Sequence, residues 1–496
     1  MRSLRLMCLG KLNWGNRACA LLLFCSATAI ASSAQTLTTL HAFDGTDGSY
    51  PFGGVVQSLD GNLYGTTYSG GTANDGTVFK VTPGGTFTSL HSFDGTDGAA
   101  LFDQTGLVQG SNGNLYGTTL GGGANSRGTV FKITTKGKLT TLYSFCALEG
   151  CTDASQPYDG LVLGTNGELY GTTDFGGANS YGSIFSISTG GKLKTIYSFC
   201  PKSGCTDGAR PTAGLIQASN GDFYGTTEAG GANKNSDCAV EGCGTIFKVT
   251  ASGGLTTLYS FCAQSGCADG QTPYAGLIQG SDGNFYGTTT EGGANGTNDG
   301  TVFKITPSGE FTTLWSFCSQ EACADGIGPE GGLIQATDGN FYGTTSAGGS
   351  PGAGTIFKIT SSGTLTTVYN FCTQSGCADG GGPYAGLIQG TNGDFYGTTE
   401  DDGAHGGGTV FSLSTGLGPF VETRPTSGKV AKAVQILGTD LTGATSVTFN
   451  GVAAKFTVVS STEITTTVPT GATTGPVQVI TPSGTLTSNV VFQVVK

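Results

Sequence analysis

Four acidic residues stand at or just after a recurring Thr-Thr step: Asp174, Glu228, Glu291 and Glu400. Paired carboxylates are the groups with which glycosidases and lyases deliver and remove protons, so these four are the chain's candidates for a catalytic acid and base. Solvated acids in surface loops have the same sequence signature. A second acidic set is larger and more regular: Asp47, Asp97, Asp153, Asp207, Asp269, Asp325 and Asp379 recur once per repeat in a loop whose simplest form runs from Phe43 to Gly48. A ring of acidic loops would bind a cation, a sugar or a basic partner. Aspartate in an Asp-Gly turn also bonds its own backbone. Recurrence favours this structural use, because scaffold needs repeat and binding sites break symmetry.

Cysteine supplies the next pattern. Twelve of the fifteen cysteines form six Cys-x4-Cys pairs: Cys146/Cys151, Cys200/Cys205, Cys238/Cys243, Cys262/Cys267, Cys318/Cys323 and Cys372/Cys377. Even number, fixed spacing and a secretory start predict disulfides. Each would close a short loop and stiffen it locally, as an excursion inserted into the simple crossover. Each pair alone offers too few ligands for a zinc site. The histidines do not assemble a Ser-His-Asp or Cys-His constellation: His41 and His91 occupy places where other repeats carry Tyr143, Tyr197, Tyr259, Trp315 and Tyr369, and His405 sits in a glycine-rich loop. No segment matches a twelve-residue calcium loop, Asn295 to Gly300 being the nearest approach. No cofactor or metal is expected.

These residues hang on a repeat. Tyr-Gly-Thr-Thr starts at Tyr64, Tyr116, Tyr170, Tyr224, Tyr286, Tyr342 and Tyr396, a spacing of 52 to 62 residues. Each unit has four strand-like runs rich in Val, Leu, Phe, Tyr and Thr, divided by turns such as Asp60-Gly61 and Pro83-Gly84-Gly85. Four short strands per unit make a propeller blade. The seventh unit lacks its fourth run, and an orphan fourth run, Leu37 to Phe43, precedes the first unit. The N-terminal strand is therefore predicted to complete the last blade and close the ring, removing exposed edges. Strand alternation puts the tight turns on one face and the variable loops, with all the acids above, on the other. The tyrosine of the repeat reads as core.

The chain has 496 residues, 88 of them glycine, and only 11% are charged. Residues 1–34 read as a signal peptide: Arg2, Arg5, Lys11 and Arg17 precede an apolar stretch from Ala18 to Ala31, with Ser32-Ser33-Ala34 as the cleavage site. The apolar run is short for a membrane span, and none is expected in the mature chain. Cleavage removes four basic residues and takes the net charge from −12 to −16, which argues against nucleic acid as a partner. After Gly416 cysteine disappears and apolar and polar residues alternate, as in Val477-Gln-Val-Ile480, which predicts a small antiparallel sandwich over 417–496.

Two resemblances follow from these phrases. Asp-Gly-Asn-(Leu/Phe)-Tyr-Gly-Thr-Thr and Gly-Thr-(Val/Ile)-Phe-Lys, across residues 37–414, resemble the GloVer repeats of bacterial secreted proteins of the choice-of-anchor group. That resemblance implies no catalytic residue. Its members often end in a surface-sorting tail, and Val494-Val495-Lys496 departs from this pattern. Pro425-Thr-Ser-Gly428, Val447-Thr-Phe-Asn-Gly451 and Thr481-Pro-Ser-Gly-Thr485 resemble the IPT/TIG immunoglobulin-like family, implying a spacer or adhesion module.

The expectation is an all-β protein: a seven-bladed β-propeller (35–416) closed by the N-terminal strand, then an immunoglobulin-like β-sandwich. Its expected location is extracellular or periplasmic, with surface association left open. Its expected role is non-enzymatic binding of an extracellular carbohydrate or surface protein by the loop face. The alternatives are a polysaccharide-degrading enzyme on the same face and a structural envelope component.

Overall fold

The computed structural model describes residues 35–101, 106–201, 203–235, 238, 241–296 and 298–495; the expected signal peptide lies outside them. Seven four-stranded antiparallel sheets follow one another along the chain. In blade one the strands are Val56–Gln57, Leu63–Thr67, Thr77–Val81 and Phe87–Ser92, paired in that order. In blade seven Ile388–Gln389, Phe395–Thr399 and Thr409–Ser414 are joined by the N-terminal strand Thr36–Ala42. Thr36 lies opposite Ser414 and Ala42 opposite Thr409, with one irregularity between Thr39 and His41. The predicted ring closure is thus present. The first run of each blade is shorter than its apolar stretch suggests: only two residues pair.

The repeat phrase is explained by contacts on both sides of its strand. The tyrosine is buried in every blade, and its hydroxyl meets a turn residue, as in Tyr64 to Asp60 (2.7 Å) and Asn112 to Tyr116 (2.8 Å). The glycine lies under the phenylalanine of the third strand. A Cβ on Gly65 would stand 2.5 Å from Phe79. The first threonine stitches blades together: Thr118 Oγ1 donates to the Asp159 carbonyl (3.0 Å) and Thr172 to Ala213 (2.9 Å). Across the seam, Thr398 makes the same bond to Gly53 (3.0 Å). The second threonine bonds a hydroxyl of the third strand within its own blade, as Thr67 does with Thr77 (2.9 Å). On the tight-turn face a glutamine ends each inner strand except in blade three, where Leu163 stands. Gln279 accepts from Ser219 N (2.9 Å) and Gln389 from Thr337 N (3.0 Å), each reaching the preceding blade.

Beyond Ser414 the chain forms a second sheet pair. Glu422–Arg424, Ala433–Leu437, Glu463–Thr467 and Phe456–Val458 make one sheet. Val452–Ala453, Ser446–Phe449, Val477–Thr481 and Gly484–Thr487 make the other. Val434, Ile436, Val447, Phe449, Ile464 and Val479 fill the space between. This sandwich is docked on the tight-turn face of the ring. Arg424 donates to Gln109 Oε1 (2.9 Å) and to the Gln57 carbonyl (2.7 Å), while Glu422 holds its guanidinium from behind (3.0 Å). Thr462 donates to the Leu59 carbonyl (2.8 Å), and Thr391 and Thr439 share a hydroxyl bond (2.9 Å).

Two outcomes follow. Gly65→Ala, which drives a methyl into the Phe79 ring, lowers stability by about 1–3 kcal/mol in urea denaturation. Arg424→Ala leaves both halves folded but loosens their contact, so limited proteolysis in the 415–421 connection speeds up while circular dichroism is unchanged.

Candidate ligand-binding mouth

The seven loop aspartates all do the same structural work. Each accepts a hydrogen bond from the aromatic residue of the outer strand that precedes it. His41 bonds Asp47 (2.7 Å), His91 bonds Asp97 (2.8 Å), Tyr143 bonds Asp153 (2.7 Å) and Tyr197 bonds Asp207 (2.9 Å). Tyr259 bonds Asp269 (2.7 Å), Trp315 bonds Asp325 (3.1 Å) and Tyr369 bonds Asp379 (2.8 Å). The other carboxylate oxygen accepts backbone N–H groups of the same loop, as Asp269 does from Gln264 (3.0 Å). Asp153, Asp269, Asp325 and Asp379 are buried. Their carboxylates are turned inward and form no open acidic ring. The two histidines replace tyrosine as hydrogen-bonding partners as well as in packing.

The six cysteine pairs are closed as disulfides: Cys146–Cys151, Cys200–Cys205, Cys238–Cys243, Cys262–Cys267, Cys318–Cys323 and Cys372–Cys377. Their loops also make a contact that the spacing does not show. In the five crossover loops the second cysteine ties its loop to the Gly-Gly loop of the blade that the crossover leads into. The Cys151 carbonyl accepts from Gly177 N (3.0 Å), Cys205 from Gly231 N (2.9 Å) and Cys323 from Gly349 N (2.9 Å). Cys267 and Cys377 do the same with Gly293 and Gly403 (3.0 Å each). Each of these carbonyls also takes an N–H of its own loop, as Cys205 does from Gly208 and Cys323 from Gly326 (2.9 Å each). In the unstapled blades Gly45 and Gly95 hold this place, accepting from Gly71 and Gly123 (2.9 Å each).

The backbone explains the exchange. Gly45 and Gly95 are left-handed, at φ 86° and 79°, and so are both cysteines of every crossover staple, with Cys151 at 52°, Cys205 at 46° and Cys323 at 51°. A non-glycine residue pays for that conformation, and the covalent link holds it there. Short 3-10 turns, Glu149–Cys151, Ser265–Cys267, Glu321–Cys323 and Ser375–Cys377, carry the excursion into it. Spacing alone hid the role because the bond is made by a main-chain oxygen. Two staples that are distant in the repeat plan also meet in space: the sulfurs of Cys238, Cys243, Cys262 and Cys267 lie within 4.8 Å of one another. Oxidised, they present no thiolate to a metal ion. Asn295, the start of the nearest calcium-like stretch, donates to the carbonyls of Ser316 and Phe317 (2.9 Å each), as Asn233 does to Ser260 and Phe261. It braces the outer strand.

The asymmetry lies closer to the axis. Each blade is entered through a short segment on the loop face, and the residue after Thr-Thr pairs with that segment. Glu228 N donates to the Arg210 carbonyl, Glu400 N to Gly382, Ser346 N to Gly328 and Tyr68 N to Tyr50. The entry residues Tyr50, Ala100, Gln156, Arg210, Thr272, Gly328 and Gly382 all have left-handed backbone, φ between 52° and 63°. Only two are glycine, so five side chains are held there at a cost of about 1 kcal/mol or more each. Two residues on, the described blades carry Phe52, Tyr158, Thr212, Tyr274, Glu330 and Tyr384. These converge: the hydroxyls of Tyr158 and Tyr274 are hydrogen-bonded with their rings edge-on, and Phe52 stands edge-on to Tyr384 at 5.3 Å. Thr212, between the two bridged tyrosines in blade order, is 2% exposed, and its hydroxyl has no hydrogen-bond partner among the described residues.

The mouth is electrically divided. On the side of blades three and four, Arg210 bonds Asp174 (3.0 Å) and Glu228 (3.3 Å) and lies over the Phe175 ring at 5.6 Å. Burial raises both carboxyls above their ordinary range, while Arg210 pulls them down. On the side of blades six and seven, Glu330 accepts from Ser346 (3.1 Å), and no lysine or arginine of the described residues pairs with Glu330 or Glu400. Burial pushes the Glu330 carboxyl up to about 7, helped by the charge of Glu400. Glu400 also rises to about 7, by burial and then by Asp401. Tyr384 rises to about 12, through burial and the charges of Glu330, Glu400 and Asp401.

Of the four acids singled out by sequence, the structure brings Asp174, Glu228 and Glu400 to this mouth and sets Glu291 at its edge, bonded to the entry residue Thr272. Asp174 is buried in an ion pair, unlike a solvated loop acid. Glu291 stands one residue further along its strand end and accepts from Gln271 (3.0 Å) and Thr272 (3.3 Å). Sequence reasoning missed Arg210, Glu330 and the three tyrosines. Their signal was there: aligned on the following Thr-Thr, the residues on either side of a proline that recurs in six of the seven blades change from blade to blade.

The family described as Gloeobacter/Verrucomicrobia repeat matches residues 27–153, 147–333 and 235–454, and the IPT/TIG domain matches 422–494. Among curated proteins none matches. Similar solved structures include an auxiliary nutrient binding protein from Bacteroides ovatus (12% identity, 77% of this chain and 76% of that one, TM-score 0.39). Another is a puromycin hydrolase (12%, 76% and 57%, TM-score 0.43). A third is the PQQ-bound aldose sugar dehydrogenase of Streptomyces coelicolor (13%, 77% and 99%, TM-score 0.34). Similarity of this depth carries no argument about activity.

The raised carboxyls set a pH dependence. An acid whose pKa is higher folded than unfolded stabilises below its unfolded value, and that contribution is lost as pH rises through the folded value. Glu330, facing Glu400, Tyr274 and Tyr384, and Glu400, facing Asp401 and Tyr384, therefore make stability fall from about pH 4.5 to about pH 7. Thermal melts show this decline, and the Glu330→Gln, Glu400→Gln double variant flattens it.

Proposed function

The chain belongs to the Gloeobacter/Verrucomicrobia repeat family and ends in an IPT/TIG domain, and we propose that it is a secreted, non-enzymatic carbohydrate-binding propeller whose ligand enters the mouth on its loop face. The observation that carries this reading is the collar of entry segments, where a sevenfold scaffold gives way to unlike residues. Tyr158, Tyr274 and Tyr384 supply apolar rings with polar edges, Phe52 adds an apolar ring, and Glu330 and Glu400 supply acceptors: the pairing of stacking surface and hydrogen-bonding groups that sugars require. Tyr50 and Phe175, on the same face, are 39% and 42% exposed. The opposite face is occupied by the docked sandwich, which leaves the loop face as the open one. The disulfides fit an oxidising compartment, and no helix of the described residues is long and apolar enough to cross a membrane.

Binding is favoured over turnover because Asp174 and Glu228, two of the sequence candidates, are tied to Arg210. A carboxylate locked to a guanidinium is a poor proton carrier at neutral pH. One feature favours the enzymatic alternative: burial pushes the Glu330 and Glu400 carboxyls up to about 7, where a general acid is useful.

A glycan panel read by calorimetry separates the two. The expected result is binding without turnover, weakened roughly tenfold or more by Tyr274→Ala or Tyr384→Ala. Failure of the intact protein to bind any glycan, or equal binding by both variants, rejects the proposal. Hydrolysis or elimination that disappears in Glu400→Gln establishes the enzyme instead.

A further inference from the structure

Blade four breaks the plan at a second place, away from the mouth. Its Gly-Gly loop carries a staple of its own, Cys238–Cys243, beside the staple of the crossover into blade five, Cys262–Cys267. The four Sγ atoms all lie within 4.8 Å of one another, and among the described residues no other two staples meet. Cys243 and Cys267 are each 1% exposed. Cys238 and Cys262 are half-buried and pack against the same apolar cluster.

The loops that bring these sulfurs together are tied by bonds other than the disulfides. The Cys243 carbonyl accepts from Thr272 N (3.1 Å), and the Cys267 carbonyl accepts from Gly270 N (2.8 Å) and Gly293 N (3.0 Å). The Asn233 side chain holds the carbonyls of Ser260 and Phe261 (2.9 and 3.0 Å), just before Cys262. Three of the four cysteines are thus placed by contacts that survive reduction, and Cys238 is tethered five residues from Cys243. A second side chain is aimed at the sulfurs themselves: Asn235 Nδ2 lies 3.0 Å from Cys267 Sγ and 3.8 Å from Cys262 Sγ. A neutral sulfur is a weak acceptor, whereas a metal-bound thiolate is a strong one and is supported by such outer donors.

We propose that in the reduced chain Cys238, Cys243, Cys262 and Cys267 together bind one soft divalent cation of the zinc class. Zinc takes four thiolates tetrahedrally at about 2.3 Å, which sets neighbouring sulfurs about 3.8 Å apart. Sulfurs already within 4.8 Å reach that spacing by side-chain rotation. The chemistry needs a reductant from outside, a trialkylphosphine in the test below. Two phosphine molecules each take an oxygen from water to become the oxide, and each opens one staple to two thiols. Binding of Zn2+ then forms four Zn–S bonds and releases four protons. The same sulfurs therefore have two closed forms, two cystines where the surroundings oxidise and one metal tetrathiolate where they reduce. None of the four belongs to the mouth, so this site and the carbohydrate reading stand or fall separately.

The signal-free chain is reduced without oxygen by the phosphine, loaded with zinc chloride, freed of excess metal by gel filtration and assayed for zinc. About one zinc per chain is expected, and none in the oxidised chain treated alike. Cobalt(II) in place of zinc is expected to give the visible absorption of a tetrahedral thiolate complex. Cys238→Ser with Cys243→Ser is expected to lower the retained metal roughly tenfold or more. Cys262→Ser with Cys267→Ser is expected to do the same and serves where the first variant fails to fold. Cys372→Ser with Cys377→Ser is expected to change nothing; it is the sharper control, because those two sulfurs have the Asp402 carboxylate within 4.8 Å. Metal retained equally by all three variants, or by the oxidised chain, overturns the proposal. So does a reduced chain that retains no zinc, or one that unfolds by circular dichroism and spreads zinc over all its cysteine pairs.

Discussion

The pairing of Thr36–Ala42 with Thr409–Ser414 is the contact on which everything else in the ring depends. Without it blade seven would keep three strands, and both the free edge of Thr409–Ser414 and the orphan strand Thr36–Ala42 would be templates for aggregation. Closure also fixes the axis, and the axis makes the seven entry segments converge. Phe52 can reach Tyr384 only because blade one sits beside blade seven. The Thr398 bond to Gly53 shows that the seam is stitched as firmly as any other blade boundary.

Scaffold and site are separated by residue position within one repeat. The threonines, the tyrosine and the glycine beneath phenylalanine recur because they satisfy the same backbone and packing needs seven times. The loop aspartates belong to this class, since each is saturated by its own loop and its outer-strand aromatic partner. The entry residue and the residue two positions after it are free of that duty, so they can differ. The left-handed backbone there would suit glycine at all seven places, yet Tyr50, Gln156, Arg210 and Thr272 hold it with large or branched side chains. Side chains kept in a conformation that opposes them are being kept for where they point.

Repetition made the scaffold legible in the sequence. A missing fourth run in the last unit and a spare one before the first were enough to predict closure, and the turn pattern was enough to assign the faces. The same regularity hid the mouth. Glu330 stands where other blades have tyrosine, threonine or phenylalanine, so no periodic signal marks it. Arg210 is found only by noticing that one entry position is charged. The alternation of histidine, tyrosine and tryptophan in the outer strand was visible, but its hydrogen bond to the following aspartate spans six residues in unstapled loops and ten in stapled ones. The four-residue insertion disguised a constant contact. It disguised a second one as well, since the carbonyls of Cys151, Cys205 and Cys323 do the work of Gly45 and Gly95. The docking of the C-terminal sandwich was not legible either, since it depends on Arg424 meeting Gln57 and Gln109, which are more than three hundred residues away.

The closing strand has a consequence for how the molecule comes into being. It is synthesised first and finds its partner last, after the seventh unit has emerged. Until then the nascent chain carries an orphan segment ahead of a growing arc whose last blade is incomplete. The staples relieve none of this, for each joins cysteines only five residues apart and can form long before the circle does. Maturation therefore has two clocks, a local oxidative one and a slow topological one, and only the second decides when the protein stops being sticky.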